Sequence, residues 1–333
     1  MKIYVYPNII GSTDVYFNEY LKRLSAENIE INEATKIPQL QLFLEKPIYD
    51  IYIFNWIENT PDYRIGLLQS LAAFHFIRKI KRHGKKIVWY LHNKRPHKTS
   101  HLKMKERIMR FMAKQSDLII TYAQDGVDKI KNDYPEQKDK VKELHFPTTN
   151  RMTLSETERE NVSIKQDLLI WGSVQRRKNI TQFLKYLNNS QSSLKIKIIG
   201  KCNSEQLEKE IKDNLGKNQV FENCFIDFDK LEKEIAESRF VFVPYAADSV
   251  LSSATLVDSL SLGGKVIGPN SGSFKEYMSD PRIKVYTYND FSEVEKIVKA
   301  NSDKISVKDY ADYLAEYSWD NYIKHLKDIL ESL

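Results

Sequence analysis

Short apolar runs of five or six residues, rich in β-branched and aromatic side chains, recur through the first part of the chain. They lie at 2–6 (KIYVY), 51–55 (IYIFN), 86–91 (KIVWYL) and 117–121 (DLIIT). The stretches between them, such as 64–83 and 102–115, space their apolar residues as a helix does. Strands buried on both faces read as continuous apolar runs, so this alternation predicts βαβ units around a parallel sheet. The pattern breaks at 147–166 (PTTNRMTLSETERENVSIKQ), a polar stretch that reads as an interdomain linker. It resumes with strands at 167–172, 194–200, 239–244 and 264–268, each ending near Gly or Pro. Helical spacing follows at about 178–188, 204–215, 229–237 and 254–262. From about 306 on the chain is helical by pattern and rich in Tyr and Trp. Helices that follow a completed sheet are expected to cross back. The expected domains are therefore 1–155, with 306–333 packed on it, and 156–305.

Composition supports this division without changing it. A length of 333 residues suits two domains, and 41% hydrophobic with 11% aromatic residues can fill two cores. Cys202 and Cys224 are too few to staple the fold and have no metal-ligand spacing, so they read as reduced thiols of a cytoplasmic protein. The opening MKIYVYPNIIG is too brief for a signal segment, and no run of 18 apolar residues follows. The expectation is a protein of the cytoplasm, soluble or peripheral at the inner face of the membrane.

Charge adds an asymmetry. Residues 1–150 hold 25 Lys+Arg against 17 Asp+Glu, and the rest hold 26 against 28. Residues 78–114 carry 14 basic residues and one acid, Glu106. An anionic partner for the first half follows. In 102–115 (LKMKERIMRFMAKQ), Leu102, Ile108, Met109, Phe111 and Met112 alternate with Lys103, Lys105, Arg107, Arg110 and Lys114. Such a helix either lies on an anionic bilayer or turns its apolar side to the core and its basic side to water. No nucleic-acid-binding motif accompanies the charge.

Open parallel sheets bind ligands where strands end and helices begin. In GSVQRRKN, Gly172 ends a strand, and Arg176, Arg177 and Lys178 precede a helix, a placement suited to a diphosphate or to a solvated basic turn. In YAADSVLSSATLVD, Tyr245 follows a strand, and Ser252, Ser253, Ala254 and Thr255 lead into a helix. Small residues there admit a ligand to the backbone N–H groups, and Asp258, one turn in, can accept from a ribose hydroxyl. Taken alone, this loop reads equally as a Ser N-cap. Lys201, just past the strand ending at Gly200, joins these candidate phosphate-binding residues.

In WYLHNKRPH, His92 follows a strand of the first half, with Asn93 beside it and His97 and His101 beyond. His92 is the candidate catalytic residue, able to bond a sugar hydroxyl or phosphate, although a His at a strand end is often structural. No His and carboxylate spacing points to a metal. The first loop (PNIIGS) places Gly11 and Ser12 on the acceptor side. It lacks the dinucleotide fingerprint, and no phosphate-binding G-x-x-x-x-G-K-[ST] loop occurs anywhere, which argues against dehydrogenases and nucleoside triphosphatases.

These segments resemble, in order and over nearly the whole chain, the GT-B superfamily of glycosyltransferases, particularly family four and related bacterial polysaccharide enzymes. IFNWIEN (53–59) and VWYLHNKRPH (88–97) carry the resemblance in the first half. GSVQRRKN, DSLSLGGKVI (258–267) and the terminal YSWDNYIKHL carry it in the second. The resemblance implies an α/β GT-B fold: two Rossmann-like βαβ domains facing across a cleft, with a C-terminal helix crossing back to the first. It implies Lys178 on the nucleotide diphosphate and Asp258 on the ribose. The chain departs from the family in two places. Ser173 stands where the family has Arg, passing that role to Arg176 or Arg177. The family's pair of Glu residues falls on Val250 and Asp258.

The expected activity is metal-independent transfer of a hexose from a UDP-sugar, ahead of a GDP-sugar, with the nucleotide sugar as substrate and no cofactor. The expected acceptor is a glycan or lipid-linked oligosaccharide of a bacterial surface polysaccharide. An inverting enzyme also needs a base, for which Asp14 and Glu58 are the loop acids of the first half. Two alternatives stand beside this: a sugar-nucleotide epimerase of the same fold, and a non-catalytic partner subunit, favoured by the missing first Glu.

Overall fold

The computed structural model describes residues 1–12, 14–44, 46–96, 100–247 and 250–333. They form two compact units, 1–145 with 319–333, and 146–318.

The first unit is built on a parallel sheet of six strands: β1 Lys2–Tyr6, β2 Glu30–Ile31, β3 Ile51–Asn55, β4 Lys86–Leu91, β5 Leu118–Thr121 and β6 Val141–Glu143. Their order is β2-β1-β3-β4-β5-β6. β3 is buried throughout, and β1 and β4 are buried after their first residues, which accounts for their unbroken apolar sequences. The order reverses between β1 and β3, so the loops leaving those strands flank a switch point.

The second unit repeats the architecture with β7 Gln166–Trp171, β8 Ile196–Ile199, β9 Gln219–Glu222, β10 Ser238–Phe242, β11 Val266–Pro269 and β12 Val285–Tyr288. Their order is β12-β11-β10-β7-β8-β9, all parallel, with the reversal between β7 and β10. Phe183, Phe240, Phe242 and Tyr288 belong to a core made from the sheet and its covering helices.

Three features depart from the sequence reading. The segment 147–166, read as an interdomain linker, belongs to the second unit and is anchored there. Glu232, almost fully buried, accepts from Thr153 N at 2.9 Å and Leu154 N at 3.1 Å and pairs with Arg159. A buried carboxylate needs such donors, and this stretch supplies them, with a short helix Glu156–Glu160 held by the Ser155/Glu158 capping box.

The two terminal helices also part company. Val307–Glu316 stays with the second unit, where Tyr310 Oη donates to Gly264 O at 3.1 Å and accepts from Lys284 N at 2.9 Å. Only Trp319–Glu331 joins the first, through Tyr322 to Tyr90 (Oη–Oη 2.9 Å) and an ion pair of Asp320 with Arg23.

The helix Leu102–Gln115 turns its apolar side inward. Ile108, Met109 and Met112 are buried, and Lys105, expected on the basic outer face, is fully buried in an ion pair with Asp62 at 2.7 Å. The membrane-lying reading of that apolar side is thus corrected, because the sheet already covers it. No helix among the described residues is long and apolar enough to cross a membrane.

Candidate functional site

In the second unit, the loops after β7 and β10 meet at the switch point. β7 ends at Trp171, and Gly172 follows at φ +90°, a conformation that strains any residue with a Cβ. A Cβ there would also stand 3.2 Å from Lys178 Nζ. Gly200, just past β8, packs so closely that its Cβ would lie 1.8 Å from Gly172 O. The chain then makes a single 3-10 turn, Arg176–Lys178, before the helix Ile180–Asn189.

That turn sends Lys178 inward, where it is only 3% exposed. Its ammonium donates to Trp171 O at 3.0 Å and approaches Thr255 Oγ1 at 3.5 Å. Among the described residues no carboxylate pairs with it. Burial pulls the Lys178 ammonium below its ordinary range, with Tyr245 opposing and Arg177 adding to the effect. Lys105, the other deeply buried lysine among the described residues, has its carboxylate. Lys178 is a buried cation placed where an anion could complete it.

The loop after β10 supplies the surroundings. Ser253 caps the helix Ala254–Ser261, its Oγ accepting from Leu256 N at 3.2 Å. Thr255, in the first turn, brings its hydroxyl to Lys178. Trp171 Nε1 donates to Ser259 Oγ at 2.8 Å and ties the end of β7 to this helix. The Tyr245 ring lies 5.9 Å from the Lys178 ammonium and 5.3 Å from the Arg177 guanidinium. Burial alone would raise the Tyr245 phenol. Lys178, Arg177 and bonds from Ser253 and Thr255 together bring it below its ordinary value. Ser252 is half-buried and Ala254 exposed beside them.

Asp258 sits one turn further, its carboxylate 3.4 Å from Arg151 Nη1. Burial raises the Asp258 carboxyl to about 6, with Arg151 pulling the other way. The sequence reading missed Arg151, since nothing in a polar linker marks one cation as the partner of an acid 107 positions on. Arg176 is not brought to Lys178: it forms a bidentate pair with Glu210 at 2.6 and 2.8 Å on the helix Glu205–Asp213. Lys201 is exposed, and its carbonyl accepts from Val174 N.

In the first unit, His92 stands at the end of β4. Asn55 Nδ2 donates to Tyr6 O at 3.3 Å, which turns Asn55 Oδ1 towards His92 Nε2 at 2.9 Å. The Nε2 proton is thereby specified, and in the neutral ring Nδ1 is the acceptor. Trp56, at φ +50°, stacks on the imidazole at 4.3 Å and 17°. Tyr90 and Tyr122 each lie 5.8 Å from it. Asn55 and Trp56 were missed as residues that hold His92, although both lie in the IFNW segment. Asn93 is half-buried beside His92, and Lys94 pairs with Asp125.

Gly11 has φ +71° with no protein atom within 4 Å of its would-be Cβ, so the turn itself accounts for this glycine. Ser12 Oγ accepts from Asp14 N at 3.2 Å, and Asp14 caps the helix Val15–Ala26. Glu58 is fully buried, and burial raises its carboxyl to about 7 against a backbone bond, Lys105 and Trp89. Helix capping and burial account for these two acids. His101, at φ +53°, precedes the helix Leu102–Gln115, and His97 lies outside the described residues.

No family model and no curated protein matches this sequence. Solved structures do. Alr3699/HepE of Anabaena, determined with UDP and glucose, superposes with TM-score 0.68 at 12% identity over 100% of both chains. The lipopolysaccharide outer core galactosyltransferase WaaB gives 0.65 at 12% identity, again over 100% of both. The T4 phage BGT, determined with UDP and Mn2+, gives 0.56 at 16% identity over 98% of this chain and 99% of that one.

The chain has the GT-B fold.

Within that fold, the Lys178 site occupies the switch point of the second Rossmann-like unit, and His92 follows β4 of the first. The 12–16% identities carry the architecture and leave the chemistry to the residues.

Proposed function

We propose that this protein is a Leloir-type glycosyltransferase that binds a nucleoside-diphosphate sugar, a UDP-sugar ahead of a GDP-sugar, at the Lys178 site. The buried Lys178 ammonium, lacking a carboxylate among the described residues beside a capped helix N-terminus, carries this reading. A diphosphate would complete it with two negative charges and accept from the N–H groups near Thr255. Asp258 is assigned to the ribose hydroxyls. As the glycosidic bond breaks, charge grows on the leaving diphosphate, and Lys178 with the helix N-terminus stabilises it there. Those fixed charges supply what a divalent metal would, so donor binding is expected to survive EDTA. His92, oriented by Asn55, is assigned to the sugar. UDP in the HepE and BGT structures supports the choice of base.

The acceptor fits best as a glycan or lipid-linked oligosaccharide of a bacterial surface polysaccharide, on the resemblance to family four. A binding-only subunit keeps one observation in its favour. Val250, where the family has its first Glu, is buried and cannot act on a sugar.

Thermal melting against UDP-, GDP-, CMP- and dTDP-sugars, with and without EDTA, tests the donor reading. At one hundred times Kd the stabilisation is about 2.7 kcal/mol. A shift with one nucleotide class, lost in Lys178→Met, supports it. No shift with any nucleotide overturns it. Binding without turnover on any acceptor moves the conclusion to the partner subunit.

A further inference from the structure

Arg151 is held from several sides within the second unit. Its N–H donates to Ser261 O at 2.9 Å, at the end of the helix Ala254–Ser261. Its guanidinium carbon lies 4.5 Å from the centre of the Phe228 ring. The chain around it is tied down as well, with Thr148 N donating to Tyr317 O at 3.0 Å and Thr153 N to Glu232 at 2.9 Å. An aromatic face and a fixed backbone keep this cation in place without a close carboxylate.

The contact it makes with Asp258 differs from three other arginine pairs of the unit. Arg176 meets Glu210 through two bonds, at 2.6 and 2.8 Å, and Arg282 meets Asp280 through two, at 2.7 and 3.0 Å. Arg159 pairs closely with Glu232. Arg151 instead offers one nitrogen, Nη1, shared at 3.4 Å between Asp258 Oδ1 and Ser261 Oγ. A bidentate pair uses up the acceptors of a carboxylate. A single long contact leaves them open and still sets a positive charge beside them.

That charge matters because Asp258 is half-buried, and burial favours its neutral acid while Arg151 pulls the other way. Other charged groups around it are committed or turned to water. Glu232 is taken by Arg159, and Lys178 donates to Trp171 O. The strand β11 carries no charged residue, and Lys308, Asp309, Asp312 and Glu316 of the packed helix Val307–Glu316 are exposed.

We propose that Arg151 is a positioning residue of the ribose subsite: it keeps Asp258 a carboxylate and fixes where that carboxylate stands, leaving its oxygens to accept from the ribose hydroxyls of the donor. This role rests on the donor reading of the Lys178 site, which supplies the ribose. Without the guanidinium, burial returns a proton to Asp258, and the neutral acid loses acceptor capacity where the hydroxyls need it.

Calorimetric titration of the full chain with UDP-glucose, from pH about 5 to about 9, reads this directly, since the donor's diphosphate keeps its charge over that range. In the parent, affinity should fall below a midpoint near 6. Arg151→Gln should move the midpoint up by about one to two pH units. Its Kd at pH 7 then rises about twofold to tenfold and returns to the parent value at about pH 9. Arg151→Lys, which keeps the charge, should restore much of the shift. Melting without ligand shows which variants are folded. If Arg151→Gln does not fold, Phe228→Leu, which removes the ring under the guanidinium, should move the midpoint in the same direction by less. A merely structural Arg151 lowers the melting temperature and leaves the midpoint in place, and that result overturns the proposal. So does a midpoint that persists in Asp258→Asn. In both cases the donor reading stands, because the parent still binds. A parent that binds no UDP-glucose at any pH overturns the donor reading, and the role of Arg151 falls with it.

Discussion

Among the described residues two lysines are deeply buried, one paired with a carboxylate and one not. Lys105 is neutralised by Asp62, so Lys105→Met strands a buried carboxylate and should cost about 3–5 kcal/mol in urea unfolding. Lys178→Met removes an ammonium without a carboxylate partner among the described residues and keeps the volume. Its stability should stay within about 1.5 kcal/mol of the parent while donor binding disappears. Glu58 gives a pH signature of its own. Its carboxyl is raised from 4.5 to about 7 by burial, so the folded state holds the proton more tightly than the unfolded state. Stability therefore falls as pH rises from about 4.5 to about 7 and is level beyond. Glu58→Gln should be more stable than the parent at pH 8 by about 3 kcal/mol, with the two converging towards pH 4.5. Asp258, raised to about 6, gives a pH test of its proposed ribose contact. Ribose hydroxyls favour its ionised form, so Kd for UDP-glucose should rise as pH drops below 6, and Asp258→Asn should bind weakly with that dependence gone. The place of Lys178, between the end of β7 and the helix Ile180–Asn189, was legible because the strand's apolar run and the following helical spacing are local patterns. The Arg176–Glu210 pair was not, because a long side chain in an exposed turn takes whichever carboxylate the fold brings near.

At the scale of elements, the closest backbone approach in the site lies between two loops. Gly200 lets β8 end against Gly172, and any Cβ would push that loop away from Lys178. Gly200→Ala should lower stability by about 1–3 kcal/mol and weaken UDP-sugar binding, although it touches no ligand. Calorimetry with and without UDP reads both effects. The central strands were plain in the sequence because burial on both faces leaves continuous apolar runs. The edge strands β2, β6, β9 and β12 were not, since each is only two to four residues long and most also carry polar residues towards water. The helix Leu102–Gln115 was correctly placed, yet its sequence allowed two orientations. Only packing against the sheet decided that the apolar side turns in.

At the scale of the whole molecule, the last helix completes a unit far from it in sequence. Trp319, Tyr322, Ile323, Leu326, Ile329 and Leu330 are buried in Trp319–Glu331. At about 1.5–3 kcal/mol for each side chain, their removal takes away most of what stabilises a domain of ordinary size. A chain ending at 318 should lose the melting transition of the first unit while its 146–318 unit still melts later in the presence of UDP. Local pattern was enough for the alternation of strand and helix, the two parallel sheets and the loops that carry Lys178 and His92, because period and strand-end chemistry are local properties. Which charges meet was decided by the tertiary structure. Lys105 found Asp62, Arg176 found Glu210 and Arg151 found Asp258, while Lys178 has no carboxylate among the described residues. Burial and pairing depend on residues far apart in the chain, and sequence periodicity carries no information about them.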